Sequence, residues 1–437
     1  MTGRVLRRSL RRCLAITAIA LLLSAPGALS RAPHPTHRSN DPPAVDLFVV
    51  ETPDRQTLRP LDPGTLADRP NGPTLALGLP DAGWSAAISA DGSTLAAWSL
   101  DPASNTVLVL DARTGAERVR LDRDADGEIA ALSRDGRRLV LFAWDSGWHL
   151  VDTHDGRTLA SIPRGPLGIL ASAIDPDARR LYRLVPPVDP APSLAALSDA
   201  APELVAHDLT TGAEIGRLPL LGVVAGLWEA GATPGAQFGE LWPALAVSPD
   251  GRRLAIAHAD RDALTLVDAT RLAIERTATL HHPTTFFERL HRLLPLVPQG
   301  AAAKHSEGIT LQAAFSPDGE RLYVHGFAST VDDDENGFTQ TAHGLGLRAV
   351  DIGSGEILAE GLPGEIFDRV VPAPDGRNLY VAGPEGGSRL LAWVQEPPGG
   401  WPKPVYRLRR LDADTLDPLA DRAFDRYPAL LLRFAGQ

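Results

Sequence analysis

The chain has 437 residues, 44% hydrophobic and 22% charged, enough apolar material for a core, while 40 Gly and 38 Pro exclude a fold of long helices. Basic residues number 43 against 54 acidic ones, a formal net charge of −11 that argues against a general binder of phosphate backbones. Cys13 is the only cysteine, which rules out an intrachain disulfide, a Cys-X-X-Cys-His haem attachment and a thiolate-ligated metal.

Residues 1–30 read as an export signal. Arg4, Arg7, Arg8, Arg11 and Arg12 precede an apolar run from Cys13 to Leu23, and Ala28 and Ser30 place small residues before a cleavage point. Two fates are open: removal as a signal peptide, or retention as an N-terminal anchor. The apolar run falls short of the roughly 20 residues of a comfortable span, which favours removal. Cys13 opens that run instead of following it, so it cannot be a lipid-bearing cysteine. Removal leaves 38 basic against 54 acidic residues, a net charge of about −16. The expected location is extracytoplasmic, periplasmic or secreted, with membrane contact only through an uncleaved N-terminus. Residues 31–44 read as a flexible lead.

From residue 45 onward two turn signals alternate. The first joins two β-rich stretches through Ser-Pro-Asp-Gly or a variant, at Ser89, Ser133, Asp175, Ser248, Ser316 and Ala373. Proline presets φ, aspartate bonds back to its own backbone and glycine accepts positive φ, so each copy predicts a hairpin. The second is a short apolar run ending in Asp62, Asp111, Asp152, Asp208, Asp268, Asp351 or Asp412, closed four times by Gly115, Gly156, Gly212 and Gly355.

Repeats of this size fit the four-stranded blades of a β-propeller, with strands a to d counted outward from the axis. The first signal is the a–b turn and the second the c–d turn. Seven c–d turns against six a–b turns predict an all-β, seven-bladed propeller over 45–437 in which one blade is closed by both chain ends. Leu47 to Glu51, Thr57 to Leu61 and Leu66 onward would give three strands and Ala429 to Phe434 the fourth, a three-plus-one closure that leaves no open sheet edge.

These turns resemble the Ser-Pro-Asp-Gly repeats of the YVTN or WD40-like propellers of bacterial extracytoplasmic proteins, over residues 45 to 435. The resemblance implies the fold. It does not choose a function, because that group includes lactonases, amine-dehydrogenase heavy chains and non-catalytic binding proteins. The Gly-His and Trp-Asp pair of eukaryotic WD40 blades does not recur.

Five insertions, at 186–202, 221–238, 281–308, 328–345 and 383–401, all fall in b–c or d–a connections and therefore on one face. A rigid ring with loops on one side predicts use of that face for binding. Within 281–308 a short helix is expected at about 284–295, started by Thr285 and Glu288 and stopped by Pro295. Phe287, Arg289, His291, His305, His343, Trp228 and Trp401 are the candidate ligand or partner residues of this face.

Asp332, Asp334 and Asn336, followed by Gly337, match the opening of a calcium loop, but the twelfth position is His343 in place of a bidentate carboxylate. Calcium or another divalent metal is the one cofactor class these residues suggest. His281, His282, His291, His305, His325 and His343 gather in the same region without a metal-ligand spacing. No Gly-x-Ser-x-Gly elbow, phosphate-cradling loop or dinucleotide fingerprint is present. The leading expectation is a non-catalytic exported propeller that binds a protein, peptide or glycan. The competing one is a metal-assisted lactonase-like hydrolase, or a dehydrogenase-heavy-chain-like subunit, acting at the channel mouth.

Overall fold

The computed structural model describes residues 45–50, 57–69, 75–76, 82–99, 105–123, 127–165, 168–188, 190–230, 237–281, 304–334, 337–385, 388–393, 405–424 and 429–434. The expected helix at 284–295, with Phe287, Arg289 and His291, lies outside them, as do Asn336 and Trp401.

The fold is an all-β propeller. A regular blade is built from β4 (Ala82–Ile88), β5 (Thr94–Ser99), β6 (Thr106–Asp111) and β7 (Glu117–Asp122), an antiparallel sheet in that order. The same order recurs in β8 (Gly127–Leu132) to β11 (Thr158–Pro163) through β9 (Arg138–Ala143) and β10 (Gly147–Asp152). It recurs again in β12 (Ala171–Ile174), β13 (Arg180–Val185), β14 (Glu203–Asp208) and β15 (Glu214–Pro219). Two later blades are β18 (Ala244–Val247), β19 (Arg253–Ala257), β20 (Ala263–Asp268), β21 (Ala273–Thr279), and β26 (Arg369–Pro372), β27 (Asn378–Pro384), β29 (Tyr406–Asp412), β30 (Pro418–Phe424).

The chain ends make a sixth four-stranded sheet. β31 (Ala429–Phe434) pairs antiparallel with β1 (Val45–Val50) from Val45↔Phe434 to Val50↔Ala429, and β2 (Thr57–Leu61) and β3 (Leu75–Ala76) follow outward. Pairing with the outer edge of β2 begins just past Leu66, at the Leu61↔Asp68 bridge, and β3 pairs with β2 as well. Leu66 instead occupies a turn, at φ 60, where no strand can run.

The blade pattern follows from burial. The second and third strands of a blade lie between neighbouring sheets, so β5 (Thr-Leu-Ala-Ala-Trp-Ser) is buried throughout and β6 nearly so. The outermost strand has one wet face and alternates, as in β15. The a–b turns repeat one bonding pattern: Ser133 Oγ donates to Asp135 (2.7 Å) and accepts from the Arg138 N–H (3.0 Å), and Ser248 does the same with Asp250 and Arg253. The turn aspartates of the c–d hairpins accept backbone N–H groups two and three residues on, as Asp111 does from Arg113 and Thr114.

All seven c–d turns then need a left-handed residue four positions after the aspartate. Four use glycine, and three use Leu66, Leu272 and Leu416 at φ 60, 49 and 62.

The described sheets therefore include six regular four-stranded blades where seven were expected. The remaining sheet has seven strands: β16 (Gly226–Ala230), β17 (Gln237–Trp242), β22 (Lys304–Phe315), β23 (Arg321–Asp334), β24 (Gly337–Asp351) and β25 (Ile357–Gly361) in that order, with β28 (Ser388–Trp393) also paired to β24. The physical reason for the departure is strand length. β22, β23 and β24 run for 12, 14 and 15 residues, twice the usual blade strand, and their excess offers new edges.

A wall of inserted strands above a seam between blades

The long strands pass through two environments. Their ends nearest the a–b turn pair as β22-β23-β24-β25, like a blade. Beyond a register shift between His325 and Phe327 they continue upward on the insertion-bearing side. There β17 joins β22 in parallel, from Phe238↔Ser306 to Trp242↔Thr310, on the edge of β22 that a blade's innermost strand turns toward the axis. β28 joins β24 antiparallel on the far side, from Thr339↔Trp393 to His343↔Ser388.

Insertion 186–202 reaches the same sheet. Ala191 bridges Trp228 of β16, its N–H donating to the Leu227 carbonyl and its own carbonyl accepting from Glu229, both at 2.8 Å. It also carries the short helix α1 (Leu194–Asp199), capped by Ser193 Oγ accepting from the Ala196 N–H. Leu197 of α1 is buried against Gly226. Segments that read as separate loops are thus strands of one wall.

The wall redefines several candidates. Asp332 and Asp334 lie in β23, paired with Thr339 and Gly337, so the described part of the expected calcium loop is extended strand. His305 stands opposite Asp332 in the ladder, and His343, half-buried, pairs with Ala328 in the same sheet. Among the described residues no three His, Cys, Asp or Glu side chains converge to hold a metal.

Trp228 is no free stacking platform. Its ring lies over Gly239 of β17, where an added Cβ would fall 2.0 Å from Cζ2, and it packs on the apolar cluster containing Leu241, Leu280 and Ile309. The wall also buries a carboxyl. Glu240 of β17 accepts from Trp242 Nε1 at 3.2 Å and Ser329 Oγ at 3.3 Å, and burial pushes it up to about 7.

At the foot of the wall a small pocket of about 30 Å³ opens between the β19–β20 turn and strands β22 to β24. That space suits one or two water-sized occupants. His258, Asp262, Leu280, His325, Leu345 and Arg348 are among its lining residues. Arg348 clasps the seam, with Nη1 on Asp262 and Nε on Glu360, both at 2.8 Å.

His258 Nε2 lies 2.8 Å from Thr265 Oγ1, while its Nδ1, 3.8 Å from Asp260, makes no hydrogen bond. His325 stands edge-to-face with Phe367, and its Nδ1 is likewise unpaired. Burial, helped by Arg261, lowers His258 to about 4, and burial lowers His325 to about 3. Both imidazoles are neutral near pH 7.

Thr265, His258 and Asp260 follow the order of a nucleophile, a base and an orienting acid. The chemistry does not follow, because Thr265 is 1% exposed, its Oγ1 also contacts Thr277, and Asp260 stands beyond hydrogen-bond reach. His325 belongs to the histidine group visible in the sequence, whereas His258, Asp262, Arg348 and Glu240 do not stand out there. The available signal is a polar residue closing an apolar run, as His258 does after Leu-Ala-Ile-Ala.

No protein-family model matches this chain, and no curated protein does. Among solved structures it is similar to hydrazine synthase of Kuenenia stuttgartiensis, at 14% identity and a TM-score of 0.40 over 76% of each chain. It is also similar to the β-propeller domain of Cps50 (Swd1) of Myceliophteria thermophila, at 15% identity and a TM-score of 0.36 over 71% of this chain and 95% of that one.

Proposed function

We propose that this chain is an exported, non-catalytic propeller that binds a protein, peptide or glycan through the wall-bearing face. In this reading the blade-like part of the large sheet counts as a seventh blade, and the sheet made by the two chain ends closes the ring. The observation that carries the binding role is the convergence of five insertions on one sheet on one side of the ring. Separate surface loops would not need to share a ladder, whereas a recognition surface gains from being rigid. Val188, Leu194 and Leu221 add exposed aliphatic side chains from the insertions on that face, Leu221 at 80% exposure.

The test is to probe the purified protein against peptide and glycan arrays and to compare three forms. Leu221→Asp and Gly239→Ala, the latter displacing Trp228 from β17, should weaken a bound ligand at least about tenfold, the scale of one lost interface anchor. Ser133→Ala, in an a–b turn on the opposite face, should leave binding intact. Equal binding by all three would reject the assignment of the face. Lactone turnover that depends on a stoichiometric metal would reject the non-catalytic role.

A further inference from the structure

The seam below the wall carries a buried clasp between two parts of the ring. Arg348 from β24 reaches Asp262 in the β19–β20 turn and Glu360 in β25, and the pocket beside it contains His258 and His325, which are 3% and 2% exposed. Each histidine has an Nδ1 without a hydrogen-bond partner. A neutral imidazole can leave that nitrogen in a small cavity at modest cost, whereas an imidazolium must place an N–H and a full charge there.

The surrounding charges do not accommodate two more cations. The β19–β20 turn presents Asp260, Arg261 and Asp262, β24 presents Arg348, and β25 presents Glu360. Asp262 and Glu360 are already engaged by Arg348. Asp260 lies 3.8 Å from His258, beyond hydrogen-bond reach, and also faces Arg261 and the Val224 backbone, while burial raises its own carboxyl. β22 contributes Leu311, and the end of β21 contributes Leu280, neither charged. His325 is covered by the edge-to-face Phe367 ring, and the Phe367 backbone offsets its burial only in part.

We propose that this seam is an acid-sensitive latch: protonation of His258 and His325 parts the β19–β20 turn from β23 and β24 and loosens the foot of the wall while the other blades stay closed. The latch does not depend on what the wall binds. Its direction follows from linkage. Both histidines are more basic in the open seam, near 6.5, than in the closed one, so closure is fully favoured above about pH 6.5 and is lost as pH falls toward the closed-state values. Between about pH 7 and pH 4.5 each histidine should favour opening by roughly 50- to 100-fold.

Hydrogen exchange of the purified protein tests this, read as protection factors so that the chemical exchange rate cancels. Protection of residues 258–263 and 345–348 should fall at least about 50-fold between those two pH values, while the β8–β11 sheet changes less than about threefold. The double variant His258→Gln, His325→Gln should show no such fall. If that variant does not fold, His258→Gln alone should lose about half of the logarithmic change. An unchanged seam in the parent, an equal loss in β8–β11, or the parent's full loss in the variants would overturn the latch.

Discussion

Leu416 gives the sharpest test of how neighbouring blades hold together. It occupies the left-handed position of its c–d turn at φ 62, costing a non-glycine residue about 1–2 kcal/mol. It is nevertheless 1% exposed, and its side chain covers Gly361 of β25 in the adjacent sheet, where an added Cβ would meet Leu416 Cβ at 2.7 Å. Leu272 sits in the same way over Gly216. A knob from one turn thus enters a gap left by glycine in the adjacent outer strand.

Replacing Leu416 by glycine removes the strain but also the burial, which for a leucine in a well-packed site is worth about 2–5 kcal/mol. Glycine further loosens the unfolded chain by up to about 1 kcal/mol. The net expectation is destabilisation by about 2 kcal/mol. Gly361→Ala fills the gap from the other side and should cost about 1–3 kcal/mol by overpacking. Urea titrations followed by circular dichroism measure both. A Leu416→Gly protein as stable as the parent would mean that backbone strain outweighs packing and would refute the knob-and-gap account.

Three further outcomes follow from the same geometry. Ser248→Ala removes the acceptor for the Arg253 N–H and a donor to Asp250, and should lower stability by about 1 kcal/mol in a urea titration. Gly239→Ala should push Trp228 off β17 and shift tryptophan emission to longer wavelength, with the far-ultraviolet dichroism of the ring unchanged. Glu240→Gln should stabilise the protein at about pH 8 by on the order of 3 kcal/mol and do little at about pH 4, measured as the difference between titrations at the two pH values. The sign follows because Glu240 is raised to about 7 in the fold, so the native state binds the extra proton and stability falls as pH rises from about 4.5 to 7.

The ring was legible because each turn type carries its own chemistry. The serine, aspartate and glycine of the a–b turns bond in the structure as their side-chain types require. The surplus of c–d turns points to a sheet shared by the chain ends, and Val45 and Phe434 meet there. The φ of Leu66, Leu272 and Leu416 was not legible, because a leucine in a left-handed turn is selected by the neighbouring blade and not by its own backbone. The wall was hidden for a similar reason. Residues 337–343 and 388–393 are far apart in sequence, and only a sheet edge left free by overlong strands brings them together. His258 was invisible because an imidazole ending an apolar strand reads as an ordinary polar boundary until β23 and β24 close over it.

The wall and its foot respond to acid in opposite senses, and their magnitudes decide the outcome. Protonating Glu240 favours the native wall as pH falls through about 7, whereas the two histidines oppose closure of the seam below about 6.5. Near pH 7 the two effects nearly cancel, because the carboxyl is about half protonated in the fold while each histidine is about one-quarter protonated in the open seam. Near pH 4.5 the carboxyl's contribution is nearly complete, while both histidines still add to opening with each further unit. The parent should therefore hold nearly constant stability from about pH 8 to 6.5 and lose it below about pH 6. Glu240→Gln should make the acid loss begin near pH 7 and steepen it, and the double histidine variant should instead gain stability as pH falls from about 8 to 4.5. A parent whose stability is unchanged between about pH 6.5 and pH 5 would show that these three buried groups do not control the response of the wall.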